Sequence, residues 1–254
     1  MSEKAALAIR EVAVPDPPRK ACINWLFGRG ASIACNLPWT TASWWSILPR
    51  TVQVKLIRWM LPRAMRHRSV RREPYERLLE VLSNNTPPGY RHRFITTNWD
   101  YLLQEVLLKQ PWEMLPAWLE NSHVYHLNGT VEVLPDSSKR SPLLLESDGA
   151  TQRVSTVEAD IVYNKMIWDT LFVIVGMSFE CQTDKFLLRT LGRVEDDLPI
   201  GESSWLVANR NPQTAEVIRQ RIEQALPGAE VQTISIGFSE WIAAGLPEVV
   251  AVMK

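Results

Sequence analysis

The stretch Cys22–Trp39, CINWLFGRGASIACNLPW, limits what this chain can become more than any other. It is apolar from Cys22 to Phe27 and then breaks into Gly28-Arg29-Gly30-Ala31-Ser32, followed by a short helix-compatible piece, Ile33-Ala34-Cys35. A buried strand that ends in a tight glycine turn and opens a helix fits this pattern. Without a Cβ at Gly28 and Gly30, backbone can approach a ligand closely, and free N–H groups at a helix start favour an anion such as a pyrophosphate. Strand-to-helix turns also use glycine for steric reasons alone, so the turn by itself leaves both readings open.

The rest of the chain repeats the strand-then-helix pattern. Arg93–Asp100 (RFITTNWD) is β-branched and aromatic and hands over to a helical Tyr101–Lys109, leaving Thr97, Asn98 and Asp100 at the strand's carboxyl end. Capping of the following helix would explain one polar residue there, less easily the whole group. VYHLNG (124–129) reads as a third short strand, Leu143–Leu145 as a small one, and Val157–Thr170 as a helix beyond the loop at 135–142. Leu171–Val175 is a strand ending in Gly176-Met177-Ser178, with a helix from about 184 to 191. Trp205–Ala208 is a strand ending at Asn209, Pro212–Leu226 an amphipathic helix with proline near its start, Val231–Ile236 the last strand and Phe238–Ala244 the last helix.

Alternating strands and helices imply an α/β fold with a doubly wound, mostly parallel, Rossmann-like sheet. Residues 1–20 read as a leader or linker and 21–254 as one domain. A helical insertion at about 40–90 separates the first two strands, too large for a plain crossover and suited to a lid or cap, with Pro62 expected to kink or end its first helix. In open parallel sheets ligands bind outside the carboxyl ends of the strands. The groups at Gly28/Gly30/Ser32, Asn98/Asp100, Gly176/Ser178 and Asn209 therefore converge on one edge.

At 254 residues, 46% apolar and 22% charged, the composition is that of an ordinary soluble domain. No apolar run reaches the roughly 18–20 residues of a membrane span, and the N-terminus does not read as a signal peptide. The cysteines (Cys22, Cys35, Cys181) are scattered with no CxxC pair, which argues against a disulfide framework or a zinc site. A cytoplasmic protein without metal is expected. Zero net charge conceals an asymmetry: residues 17–72 hold eleven Lys and Arg and no Asp or Glu, so the remainder sums to minus eleven. That basic third, densest over 50–72, suits the phosphates of a nucleotide or nucleic acid, or an acidic surface of the chain's own fold or of a partner. Its tryptophans read as core or interface residues.

The order of motifs resembles that of the sirtuin family. GRGASIACNLP is similar to the GAGxSxxxGIP loop, TTNWD to the TQNxD or TTNxD block, VYHLNG to the block ending in LHG, GMS to the later G-x-S turn, and Ala208-Asn209 to the adenosine-side Ile-Asn. The resemblance spans residues 22 to about 240 and is nearest to zinc-less bacterial sirtuin-like domains of antiphage defence systems. It implies NAD binding, without zinc, and cleavage of the nicotinamide–ribose bond. Gly28, Gly30 and Ser32 would hold the pyrophosphate region, with Arg29, Ala31 and Thr97 also among the cofactor-binding residues. Asn98 would orient a water or the ribose, Asp100 the nicotinamide carboxamide, and Gly176, Ser178 and Asn209 the phosphates and adenosine ribose. A protein partner or self-assembly would be expected as the activating event. Three departures stand out: Arg29 between the two glycines, Asn36 in place of a glycine, and Asn128 in place of the family's catalytic histidine. His126, two residues earlier, shares the strand face of Asn128. Either His126 substitutes, or the domain binds NAD or ADP-ribose without cleaving it.

Overall fold

Six consecutive residues of the first strand, Cys22–Phe27, are buried, which requires cover on both faces of the sheet. The computed structural model describes residues 21–37, 45, 47–131, 143–145, 164–166, 169, 171–195 and 203–254. Its strands are β1 (Ala21–Phe27), β2 (Tyr90–Thr96), β3 (Tyr125–His126), β4 (Leu171–Val175), β5 (Ser204–Ala208) and β6 (Glu230–Ile234). They form one sheet of order β3-β2-β1-β4-β5-β6, with every neighbouring pair parallel. The expected doubly wound fold is the one observed. The order reverses at β1, which has β2 on one side and β4 on the other, so the crevice at their carboxyl ends is the topological switch point.

The helices are α1 (Arg29–Ala34), α2 (Arg50–Met65), α3 (Glu73–Asn85), α4 (Leu102–Leu108), α5 (Gln182–Glu195), α6 (Pro212–Ala225), α7 (Phe238–Ala243) and α8 (Pro247–Val252). Alternate residues of β1 feed different layers. Ile23, Trp25 and Phe27 join α2, α3, α4, α7 and α8 in one core, while Leu26 joins Met166 and the apolar faces of α5 and α6 in the other. Phe27 is the hub of the first: its ring centroid lies 5.8 Å from Tyr75, 5.9 Å from Phe238 and 6.0 Å from Trp25.

The described part of the insertion is not a separate cap. The crossover helix between β1 and β2 is α3, whose Tyr75, Leu78, Leu79 and Leu82 enter the same core as β1, as do Ile57, Leu61 and Met65 of α2. Pro62 does not end α2, which continues to Met65. A proline so near the carboxyl end forfeits little of the hydrogen-bond ladder, and Arg63 Nη1 donates to the Trp59 carbonyl at 2.6 Å beside it. The third strand is shorter than expected, and Leu143–Leu145 is not a strand. The expected leader at 1–20, the loop at 135–142 and most of the expected helix at 157–170 lie outside the described residues.

Polar residues inside this framework come with partners. Trp25 Nε1 donates to His92 Nδ1 at 2.9 Å, and His92 Nε2 meets Thr86 Oγ1 at 2.8 Å. The indole fixes the tautomer, so Nε2 carries the proton. Burial drives the pKa of this histidine down to about 3. On the opposite face Arg93 is ion-paired with Asp169 and Glu120 and donates to Asn24 Oδ1 at 2.8 Å. No described helix is long and apolar enough to cross a membrane.

Candidate functional site

The floor of the crevice is made of glycine backbone. A methyl group at Gly28 would stand 2.5 Å from Met177 Cα, and one at Gly30 would stand 2.6 Å from Gly176 Cα. Gly176 itself has φ 65°, and a Cβ there would lie 2.4 Å from both Gly30 Cα and Ala31 N. Gly28 N donates to Val175 O (2.9 Å), Gly30 N to Gly176 O (2.8 Å) and Ala31 N to Gly28 O (3.1 Å). The expectation of free N–H groups at this turn is thereby corrected for Gly28, Gly30 and Ala31. The Gly28 and Gly30 amides lock the β1 turn to the β4 turn, because only glycines let two backbones come this close. Arg29 is exposed at the start of α1. Asn36, which stands where the resembling motif has glycine, has φ 57°, a left-handed conformation that asparagine tolerates better than most residues.

Beside the floor, Ser32, Asn98 and Asp100 form one hydrogen-bonded network, with Ser32 and Asp100 buried. Asn98 Nδ2 donates to Gly28 O and to Ser32 Oγ, both at 2.9 Å, and Ser32 Oγ donates to Asp100 Oδ2 at 2.7 Å. Asp100 Oδ1 accepts from Leu102 N at 3.2 Å, so this carboxylate does cap the start of α4. Tyr75 hydrogen-bonds with Ser32 from the core side, and burial raises the Asp100 pKa above its ordinary value. Both Asp100 oxygens and the Ser32 hydroxyl are turned inward. The outward-facing member is Asn98, whose Oδ1 accepts from no described group. Thr97 N donates to Phe27 O at 3.1 Å, which ties this turn to β1.

From β3, His126 approaches Asn98: Nδ1 lies 3.4 Å from the Asn98 carbonyl oxygen. The ring is buried, and its Nε2 has no hydrogen-bond partner among the described residues. Burial lowers the His126 pKa to about 4, with His123 adding a smaller push in the same direction. The imidazole is therefore neutral at pH 7. With the proton on Nδ1 facing the carbonyl, Nε2 presents a bare lone pair. Asn128 instead folds back, its Nδ2 donating to Thr97 O at 2.8 Å. The chain then turns at Gly129, φ 73°. Leu144 N donates to Asn128 O at 2.9 Å, and the Leu144 carbonyl accepts from Trp99 Nε1 at 3.0 Å. Arg50, in the first turn of α2, donates to Leu143 O at 3.0 Å. The start of the insertion thus reaches the crevice rim although its body is core.

On the other side, the turn after β4 holds two left-handed residues, Gly176 and Phe179 (φ 65° and 54°), and Phe179 is fully buried. Arg221 of α6 braces it, donating to Ser178 O at 2.6 Å. The N–H groups of Met177, Ser178 and Phe179 make no hydrogen bond among the described residues. Successive unpaired amides in a left-handed turn form an anion-binding concavity. Asn209 stands one strand further out, its Oδ1 accepting from Asn211 N at 2.9 Å, and it bonds to none of the other candidates. Met177, Tyr75 and Arg221 are the contributors that sequence reasoning missed. Tyr75 had one signal, a hydroxyl on the apolar face of a helix that had to find a buried partner. Arg221 had none.

Among the described residues no three His, Cys, Asp or Glu side chains are placed to hold a metal ion. Burial pushes the thiols of Cys22 and Cys35 up to about 12, leaving them inert.

No protein-family model matches the sequence, and no curated protein matches it. Among solved structures, the chain is similar to one described as "Structural Basis for the Mechanism and Regulation of Sir2 Enzymes", at 14% identity and a TM-score of 0.53. The match covers 92% of this chain and 94% of that one. The fold is thus that of a Sir2 structure over nearly its whole length.

Proposed function

We propose that this protein binds NAD across the switch point and hydrolyses its nicotinamide–ribose bond. The observation that carries the reading is His126, a buried, neutral imidazole with an orphaned Nε2 beside Asn98. A buried polar atom without a protein partner is rare in folded proteins and suits a site that receives a ligand or a reacting water.

The residues fit such a substrate in particular ways. The amides of Met177, Ser178 and Phe179 would receive the pyrophosphate, over the floor made by Gly28, Gly30 and Gly176. Asn98 Oδ1 and His126 Nε2 would hold a water by its two hydrogens, leaving its oxygen lone pair toward the ribose C1′. As the glycosidic bond breaks, its electron pair neutralises the pyridinium nitrogen, and the water oxygen bonds to C1′. The released proton passes by way of His126 to solvent. A cationic ribosyl transition state needs little base strength, so a histidine of low pKa suffices to orient the water. Asn128 would support the turn through Thr97 rather than act on the substrate. Ser32 and Asp100 would set the Asn98 rotamer, and Asn209 would meet the adenosine side. In a defence role, a protein partner or self-assembly would switch the activity on.

One observation favours a second reading. The position where the resembling motif has its histidine is filled by an amide that bonds to backbone, as suits a module that holds NAD or ADP-ribose without cleaving it. Nicotinamide release from NAD by the wild type, Asn98→Ala, His126→Ala and Asn128→His separates the two. Turnover lost in the first two variants supports hydrolysis. A silent wild type that binds NAD and gains turnover in Asn128→His supports the binding module. No binding of NAD or ADP-ribose at millimolar concentration overturns both.

A further inference from the structure

The basic residues of 50–72 do not all play one part, and Arg58 among them is half-buried with a partner of its own. Arg50 donates to Leu143 O, and Arg72 pairs with Glu105 and donates to Met65 O at 3.0 Å, so both build the fold. Lys55, Arg63 and Arg66 are exposed and form no ion pair with any carboxylate of the described residues. At 100° per residue, Lys55, Trp59, Arg63 and Arg66 lie within about 40° of one line along α2. That face is opposite the buried Ile57 and Leu61. Trp59 stands at its centre, 56% exposed, with the Arg63 guanidinium 4.4 Å from its ring centroid. Val52 and Met60 are exposed beside it, and Arg68 and Arg71 extend the row past the helix end.

We propose that this face of α2 binds a single-stranded nucleic acid. Charge complementarity selects a polyanion, because no Asp or Glu occurs anywhere in residues 17–72. The indole within the cationic row selects a strand with open bases over an acidic peptide: an aromatic platform among backbone-tracking cations is how unpaired strands are held without sequence preference. From Lys55 to Arg66 the helix rises about 16 Å, a span of two to three nucleotides. Arg63 and Arg66 meet phosphates while a base stacks on the indole, with Arg63 adding a cation–π contact. This binding is independent of the NAD site.

The test uses the full chain and a fluorescein-labelled 12-mer of deoxythymidine, with affinity read by anisotropy between 50 and 200 mM salt. Three neutralised phosphates give a log–log salt slope of about −2. Trp59→Ala is expected to weaken binding roughly tenfold with the slope unchanged. The triple variant Lys55→Glu/Arg63→Glu/Arg66→Glu should abolish binding while keeping the wild-type thermal midpoint. Arg77→Glu on α3 should bind as the wild type does. An affinity unaffected by the triple variant overturns the proposal. So does a polyglutamate peptide that binds the same face as tightly with no loss in Trp59→Ala, which would make the partner an acidic protein. Equal affinity for duplex and single strand also overturns it.

Discussion

Burial of two histidines makes stability fall in mild acid by an amount that can be worked out. His92 and His126 have folded pKa values of about 3 and about 4 against an ordinary 6.5. Unfolding raises both, so between pH 6.5 and 4 the unfolded chain binds more protons and stability rises with pH. Both depressed values therefore contribute stability above pH 6.5 that is lost as pH falls. Between pH 7 and pH 5 each histidine costs about 2 kcal/mol, about 4 together, out of a typical total of 5–15. Carboxylates with lowered values, Glu105 and Glu120, titrate below this window, whereas the raised Asp100 and Asp169 act in the opposite sense. Urea unfolding by tryptophan fluorescence at pH 7 and pH 5, on the wild type, His92→Gln and His126→Gln, isolates the histidines. The carboxylate contributions cancel in the comparison. Each variant should lose about 2 kcal/mol less than the wild type over that interval. If all three proteins show the same acid loss, the reasoning that these rings are held neutral by burial is wrong.

Hydrolysis assisted by His126 should be flat from pH 5.5 to 8 and decline only near pH 4, following its depressed pKa; a midpoint near 6.5 would mean that another group controls the rate. Gly176→Ala should destabilise by roughly 2–5 kcal/mol, from left-handed strain and contact with Gly30 and Ala31 backbone, measured as a lowered thermal midpoint; a loss under 1 kcal/mol contradicts the locked floor. Asn36→Gly should stay within about 0.5 kcal/mol of the wild type while Asn36→Val loses about 1–2, and equal effects would deny the left-handed turn. Arg93→Ala should cost roughly 3–5 kcal/mol in urea unfolding, because it strands Asp169, while Glu120 keeps its pair with Lys165; a near-neutral result would mean that Asp169 is protonated.

That the β1, β2 and β4 turns meet was legible because glycine and amide residues at strand ends carry a local signal that survives without the fold. What those groups do was less legible. Gly28 and Gly30 read as phosphate donors, yet their amides donate to distant backbone, at Val175 and Gly176 respectively. Ser32 and Asp100 read as ligands but face each other. Direction of this kind depends on long-range packing, which spacing does not encode. VYHLNG gave a strand of six where two residues pair, since Gly129 turns the chain and Asn128 bonds back to Thr97. The final helix, Pro247–Val252, was hidden by its β-branched residues, although proline in its first turn and Glu248 beside it were usable signs.

The glycine floor also limits how this protein can change over generations. No side chain intervenes between the β1 and β4 turns, so a substitution at Gly28, Gly30 or Gly176 meets backbone and cannot be relieved by trimming a neighbour. Diversification of the crevice is thereby confined to its rim, at 97–100, 126–130 and 209. On the proposed reading, a reactive histidine could move by two positions along that rim while the floor beneath stays unaltered.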